Sequence, residues 1–543
     1  MKNHTPCSSP LLMLFISFFF GITPINRINA TQSESLPNFV FIAIDDLNVY
    51  NTVLGGIPQS FLAKVYPDPE IREAVVKRLT PNLDRLASQS LTFENAFCAS
   101  PLCGPSRTAL MTGVPPHLSG YYHHDRHFRA YETLTKVTTL PQYLKDNGYF
   151  TSGLGKVFHK GRSYLDRGYF SDWPDRLYSW SHWIEVHSGT GRTQGSKAEF
   201  TEKNSKYWKQ DGRPIKHFTR FGKTTLPLDQ SNDYTNAKFV ADLISEGSAS
   251  IVDEHGKRHN LNLPTDKPYF LACGLFAPHL PWIAREEFFE MFPQEEMRIN
   301  KDLLKWVRKD LEDLSSTGKN KTARTGFTKL INYGLELDGE GGDVNAWKDA
   351  LQSYLATIAA MDQCLGSLVD AIENNPAGDH TVVLLWSDHG YHIGDKNREG
   401  KTTLWEGANH CNLIIRAPQF KEASSGLRTT APVSLQDMYP TIVSLAGLNR
   451  PTHLHGYDLT PILKNPDTNL KTPVLNTFEA NNHSLRTLTH RYLRFENGDQ
   501  ELYDLSNDPL EVINLANDPE SKDQLQNFSK LLDKTLAMKP SDY

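Results

Sequence analysis

Asp45 and Asp46 follow the apolar run Asn38 to Ile44 (NFVFIAI), and Asp388 and His389 come just after Thr381 to Trp386 (TVVLLW). Lys156 and His159 lie in GLGKVFHKG, and His279 lies in FAPHLPW, again at the ends of apolar segments. In open α/β sheets, ligands gather outside the carboxyl ends of the strands, so these are the positions where chemistry is expected. One Asp after a strand is ordinarily a helix cap or turn former. Acidic ends on two strands are a different matter: Asp45, Asp46 and Asp388 would repel one another unless a cation sat among them, and carboxylate oxygens are ligands for calcium or magnesium. The segment Cys103-Gly104-Pro105-Ser106-Arg107, running into TALMTG, has the form of a nucleophile at the start of a helix. The helix amides and the Arg107 fork would favour a bound sulfate or phosphate. Taken alone, Cys103 fits a buried small hydrophobe equally well.

These residues need a rigid frame. Asn38 to Ile44, Tyr269 to Phe276 and Thr381 to Trp386 read as buried parallel strands, while Leu351, Leu355, Ile358, Leu365, Leu368 and Ile372 mark one face of a long helix. This pattern predicts an α/β protein of doubly wound character. Ser315 to Asp343 is rich in Gly, Lys and Thr and reads as a surface loop or insertion. After Pro461 the segments become shorter and more polar, predicting a small C-terminal α+β subdomain; the expected division is 31–470 for the catalytic domain and 471–543 for the subdomain.

The whole-chain properties narrow the class. With 543 residues, 39% hydrophobic and 22% charged, the composition is that of a globular protein. The net charge of −6 comes without long like-charge blocks, so no nucleic-acid partner is expected. Lys2, the apolar run Leu11 to Ile22 and the small Ala30 predict a signal peptide over 1–30. Twelve apolar residues are short for a span that needs about 20, so an exported protein, periplasmic or secreted, with no stable membrane span after processing is expected. Of six cysteines, Cys7 falls in that leader, leaving an odd number and therefore at least one thiol unpaired or modified. The polar cluster His117, His123, His124, Asp125, Arg126, His127 and Arg129 follows the Cys103 helix and reads either as a solvated loop or as a set of groups that could recognise an anionic ligand. Trp180, Trp183 and Trp282 fit core packing better than stacking on a ligand.

The segment Cys103 to Arg107 resembles the C-x-P-S-R signature of type I sulfatases, in which the cysteine is oxidised to formylglycine. The resemblance extends in order through Pro37 to Asp46, Thr80 to Leu86, Gly155 to His159, Ala277 to Pro281, Ser387 to Gly390, Gly400 to Glu406 (GKTTLWE), Ser434 to Leu448 and Glu501 to Ala516. Within the family, the forms around Asp45, Lys156, His279 and Asp388 are most similar to the iduronate-2-sulfatase branch. Two departures stand out. Many members have Asn where this chain has His389, and the signature often continues Thr-Gly-Arg where this chain has Thr112-Gly113-Val114, a difference that bears on recognition by the maturation enzyme.

The resemblance implies an alkaline-phosphatase-like fold, with a large mixed sheet flanked by helices. It implies a calcium ion held by Asp45, Asp46, Asp388, His389 and the oxygen at position 103. It further implies a formylglycine derived from Cys103 by a formylglycine-generating enzyme, whose hydrated form attacks sulfur. Lys156 and Lys401 would bind sulfate oxygens, Arg107 would be part of the catalytic machinery, His279 would act as general acid, and His159 as the base that releases sulfate. The implied substrate is a sulfated carbohydrate containing uronic acid, as in glycosaminoglycan degradation. The competing expectations are a sulfatase of another sugar position, a phosphate or phosphonate ester hydrolase of the same superfamily, and a non-catalytic carbohydrate-binding protein.

Overall fold

Strand β1 (Asn38–Asp45) carries apolar side chains on both faces and so is buried in the middle of a sheet. Val40, Ile42 and Ile44 join one core, while Phe39, Phe41 and Ala43 join the other. The computed structural model describes residues 36–54, 60–159, 175–186, 209–210, 213–214, 221–253, 255–322, 344–470 and 472–543. The signal-peptide expectation and most of the Ser315 to Asp343 segment lie outside these residues. Among them, the main sheet comprises β1, β2 (Leu91–Phe93), β3 (Phe150–Leu154), β4 (His182–Ile184), β5 (Tyr269–Pro278), β6 (Thr381–Ser387), β7 (Leu413–Arg416) and β8 (Arg428–Thr429), in the order β8-β2-β7-β6-β1-β5-β3-β4.

The run from β6 through β1, β5 and β3 to β4 is parallel, whereas β7 is antiparallel to both β6 and β2. The sheet is therefore mixed, as the family resemblance implied, and the purely doubly wound pattern holds only for its parallel part. Helix α1 (Cys103–Thr112) packs Leu110 and Met111 on one face. On the other face lie α2 (Asn232–Glu246) and the long α3 (Val344–Asn374). The Leu351, Leu355, Ile358, Leu365, Leu368 and Ile372 stripe of α3 is buried as its period predicts. Each such Leu or Ile contributes about 1.5–3 kcal/mol. By length and composition the Trp347–Asn374 stretch could also cross a membrane, but here it is a core helix. Trp180, Trp183 and Trp282 are core residues too. Ser316–Thr322 is a helix where a loop was expected.

A second, antiparallel sheet follows, built from β9 (Val474–Thr477), β10 (His483–Arg486), β11 (His490–Arg494) and β12 (Gln500–Asp504), with α4 (Lys522–Leu536) packed on it through Leu532. Residues 36–543 pack as one unit. The tie between this sheet and the loop around Leu404 to Glu406 is ionic: buried Arg491 pairs with Glu406 and, at 2.7 Å, with Glu511, and it donates to the Leu404 carbonyl at 3.1 Å. Arg491→Met would leave Glu511 without its paired guanidinium and Glu406 with Arg486 as its remaining one. Urea denaturation should show a loss of about 3–5 kcal/mol, and a loss within error would show that the network is dispensable.

Candidate active site

The sheet order accounts for the convergence. Strands β6, β1, β5 and β3 are neighbours and parallel, so their carboxyl ends open side by side, carrying Asp388 and His389, Asp45 and Asp46, His279, and Lys156 and His159 respectively. The register of β1 against β5 slips between Ile44 and Asp45, and Asp46 takes φ 60°, turning the chain across the sheet edge. The Asp46 amide then donates to Asp388 Oδ1 at 3.1 Å, and the Asp388 amide donates to the Ile44 carbonyl at 3.2 Å. After β3 the chain passes directly against β5. A Cβ on Gly155, which has φ +73°, would stand 2.0 Å from the Gly274 carbonyl oxygen, so only glycine fits there and Lys156 is held close. The end of β5 is fixed by Asp233, whose carboxylate accepts from the Phe276 and Ala277 amides at 2.8 Å each.

Cys103 opens α1 at the centre of this ring and is buried. Its Sγ lies 2.9 Å from Lys401 Nζ, 3.2 Å from His389 Nε2 and 3.7 Å from Lys156 Nζ. Arg107, one turn further along α1 and fully buried, donates through Nε to Asp388 Oδ2 at 2.9 Å and pairs with Asp45 at 3.4 Å. Its other contacts are the Lys156 carbonyl and, at 3.2 Å, the Val157 carbonyl. Arg107 therefore faces the carboxylates and braces them from behind. Lys156 pairs with Asp45, and Lys401 with Asp46. Lys401 is delivered by an irregular loop, pinned where the Thr402 amide donates to the Pro101 carbonyl at 3.0 Å and where Arg398 donates to the Lys401 carbonyl at 3.0 Å.

Electrostatics set the resting protonation. Burial pushes Asp45 upward, but Lys156, His279 and Arg107 together hold its carboxyl well below the usual carboxylate range. For Asp46 burial is likewise outweighed, chiefly by Lys401. Burial and the Asp45 charge push the Cys103 thiol up, so an unaltered cysteine is a protonated, weak nucleophile. Burial and Lys156 hold His159 well below the ordinary histidine value, and the same two effects lower His279. Lys401 is raised well above its ordinary value, the Asp46 charge outweighing burial.

The donor set fits a hard cation. Ligand atoms of Asp45, Cys103, Asp388 and His389 lie within 4.8 Å of one another, and those of Asp46, Cys103 and His279 form an adjoining group. His389 Nδ1 donates to the Gly390 carbonyl at 2.9 Å, and burial lowers the ring's pKa, favouring its neutral form. Its Nε2 lone pair therefore faces Asp46 Oδ1 at 3.3 Å and Asp388 Oδ2 at 3.5 Å, acceptor against acceptor, an arrangement relieved by a cation between them. Cys103 Sγ marks where an oxygen on residue 103 would stand.

All ten candidate residues thus meet in one place: Asp45, Asp46, Cys103, Arg107, Lys156, His159, His279, Asp388, His389 and Lys401. The polar cluster after α1 divides. His124 enters the site, its ring stacked on His159, whereas His117 is edge-on to His483 at 6.3 Å. Arg129 is engaged with Asp175. Burial lowers His117 to about 3 and His483 to about 4. Unfolded histidine takes up a proton below about pH 6.5 while these two do not, so they stabilise nothing below that point and cost stability as pH falls from 6.5 toward 4. His117→Gln should flatten the acid limb of a stability–pH curve by up to about 1.4 kcal/mol per pH unit; an unchanged slope would show that His117 protonates in the folded state. The five cysteines 98, 103, 273, 364 and 411 are all free and buried.

A family model described as "Sulfatase" matches residues 37–448, and one described as "N-sulphoglucosamine sulphohydrolase, C-terminal" matches 394–538. A protein named "Sulfatase" from Formosa agariphila is 30% identical, covering 92% of this chain and 87% of its own. The "Iduronate 2-sulfatase" of Mus musculus is 25% identical over 93% of this chain and 96% of its own. A solved structure described in complex with its substrate D-glucosamine-2-N,6-O-disulfate superposes with a TM-score of 0.61 at 19% identity, covering 92% of this chain and 97% of that one.

Proposed function

Because this chain belongs to the sulfatase family and is a sulfuric ester hydrolase, we propose that it removes sulfate from a uronic-acid-containing oligosaccharide or polysaccharide, with 2-O-sulfated iduronate the nearest substrate. The observation that carries this reading is the placement of Cys103 at a buried helix start, ringed by Lys156, Lys401 and His389 and backed by Asp45 and Asp388. The sugar class draws its support from the named substrates of relatives: an iduronate 2-sulfatase and a protein bound to a disulfated glucosamine. Export to a periplasm or the exterior, with a signal peptide over 1–30, a catalytic domain over 31–470 and a C-terminal subdomain over 471–543, belongs to the same proposal.

In this reading Cys103 is converted by a formylglycine-generating enzyme, and formylglycine supplies, once hydrated, an oxygen nucleophile that a buried thiol is not. Asp45, Asp46, Asp388, His389 and residue 103 would hold a calcium ion, which would supply positive charge beside that oxygen and the sulfate. The chain's own residues do the rest. Arg107 fixes the Asp45 and Asp388 carboxylates. Lys156 and Lys401, both kept charged, bind the sulfate oxygens as negative charge redistributes. His159, neutral at rest, takes the proton from the second hydroxyl of residue 103 when sulfate leaves. His279 stands at the open side, its side chain 35% exposed; Nδ1 donates to the Leu280 carbonyl at 2.7 Å, leaving Nε2 facing into the site, 3.9 Å from Asp46 Oδ2. The anionic substrate raises its pKa again, so that Nε2 can hand a proton to the departing sugar oxygen.

The test is sulfate release from a panel of sulfated disaccharides by calcium-loaded protein. Preference for the 2-O-sulfated uronate supports the reading. Turnover confined to another sulfated position sinks the substrate, and preference for phosphate or phosphonate monoesters sinks the sulfate assignment.

A further inference from the structure

Resting on that reading of His159, we infer that His124 is a positioning residue that locks the His159 imidazole in register with residue 103. The two rings stack with centroids 3.7 Å apart and planes 20° apart. His159 needs such a support, because its Nδ1 is buried and, among the described residues, no hydrogen bond holds it. His124 is itself fixed, since its Nε2 accepts the Gly104 amide at 2.9 Å, the amide immediately after the nucleophile position. Accepting that bond requires Nε2 to be unprotonated, so His124 presents a neutral face to its neighbour.

Gly104 is part of the device. A Cβ there would stand 2.6 Å from His124 Cδ2 and 2.7 Å from the Tyr121 hydroxyl oxygen, so glycine at this position is what lets His124 reach the start of the helix. The chain of contact runs from the first turn of α1 to His124 and on to His159. It ties the base to the same helix terminus that carries the nucleophile, so both move as one unit. A misplacement of about 1 Å in such an arrangement costs rate rather than binding.

The experiment compares His124→Ala, His124→Phe and His124→Asn on an aryl sulfate. Rates are taken per mole of converted residue 103, with Tm measured to show that each variant is folded. His124→Ala should lower kcat about tenfold and change KM by less than about twofold. His124→Phe, which restores a flat ring over His159, should recover most of kcat. His124→Asn, which can accept the Gly104 amide but offers no ring, should not. In a His159→Ala background, His124→Ala should change kcat by less than about twofold, because its effect passes through the missing ring. Rescue by Asn and not by Phe, or full additivity with His159→Ala, overturns the inference. A crystal structure of His124→Ala gives a reading independent of turnover: His159 should rotate or split into two orientations, and an unmoved ring overturns the proposal. Wild-type protein inactive on every sulfate ester would instead sink the functional reading, with the ring position still deciding the role of His124.

Discussion

Cys103→Ala is expected to reduce sulfate release by about ten-thousand-fold or more, since the nucleophile itself is removed and the remaining groups only bind and polarise. The substitution takes away a buried thiol that touches Lys401 and His389, so the fold should persist with a small change in Tm. Substrate affinity should also persist, because Lys156 and Lys401 remain; isothermal titration with an uncleaved sulfated disaccharide reads it. Residual turnover within about a hundredfold of wild type would mean that water, not residue 103, attacks sulfur.

Asp388→Asn is expected to lower kcat about a hundred- to a thousandfold, and to raise the calcium concentration needed for half-maximal activity. Asp388 has three duties here. It accepts from Arg107 through Oδ2, accepts the Asp46 amide through Oδ1, and stands in the group with Asp45, Cys103 and His389. Asparagine keeps the shape but removes one negative charge from the cation site, and its amide nitrogen must face either Arg107 or the Asp46 amide, donor against donor. A calcium titration of both proteins separates the effects. An unchanged calcium requirement with lost kcat would confine Asp388 to bracing Arg107, and unchanged kcat would remove it from the mechanism.

Much of this site was legible in the chain because strand ends are legible. NFVFIAI and TVVLLW are apolar after their first residue, the mark of strands buried on both faces, so the acidic residues that follow them were expected at a sheet edge. That β1 and β6 are neighbours, and that Asp46 turns at φ 60° to reach Asp388, are facts of pairing and register that no local pattern carries. Lys401 was visible only through family likeness. Its loop lacks periodicity and is shaped by a distant partner, Pro101, together with neighbouring Arg398. The antiparallel part of the sheet was obscured because β2 is three residues long and β7 four, too short to show alternation. His124 read as one polar residue among several in a histidine-rich loop. What separates it from His117, which packs against His483, is the absence of a side chain at Gly104, a clue that becomes readable only once the loop is folded over the helix start.

The central claim is that residue 103 acts as an aldehyde-derived oxygen nucleophile rather than as a cysteine. The most direct measurement is the mass of the proteolytic peptide carrying residue 103, taken across preparations of graded specific activity. Activity is expected to rise in proportion to the fraction of peptide with the thiol replaced by an aldehyde, and to vanish when that fraction is zero. Full activity in protein whose peptide retains the intact cysteine would contradict it.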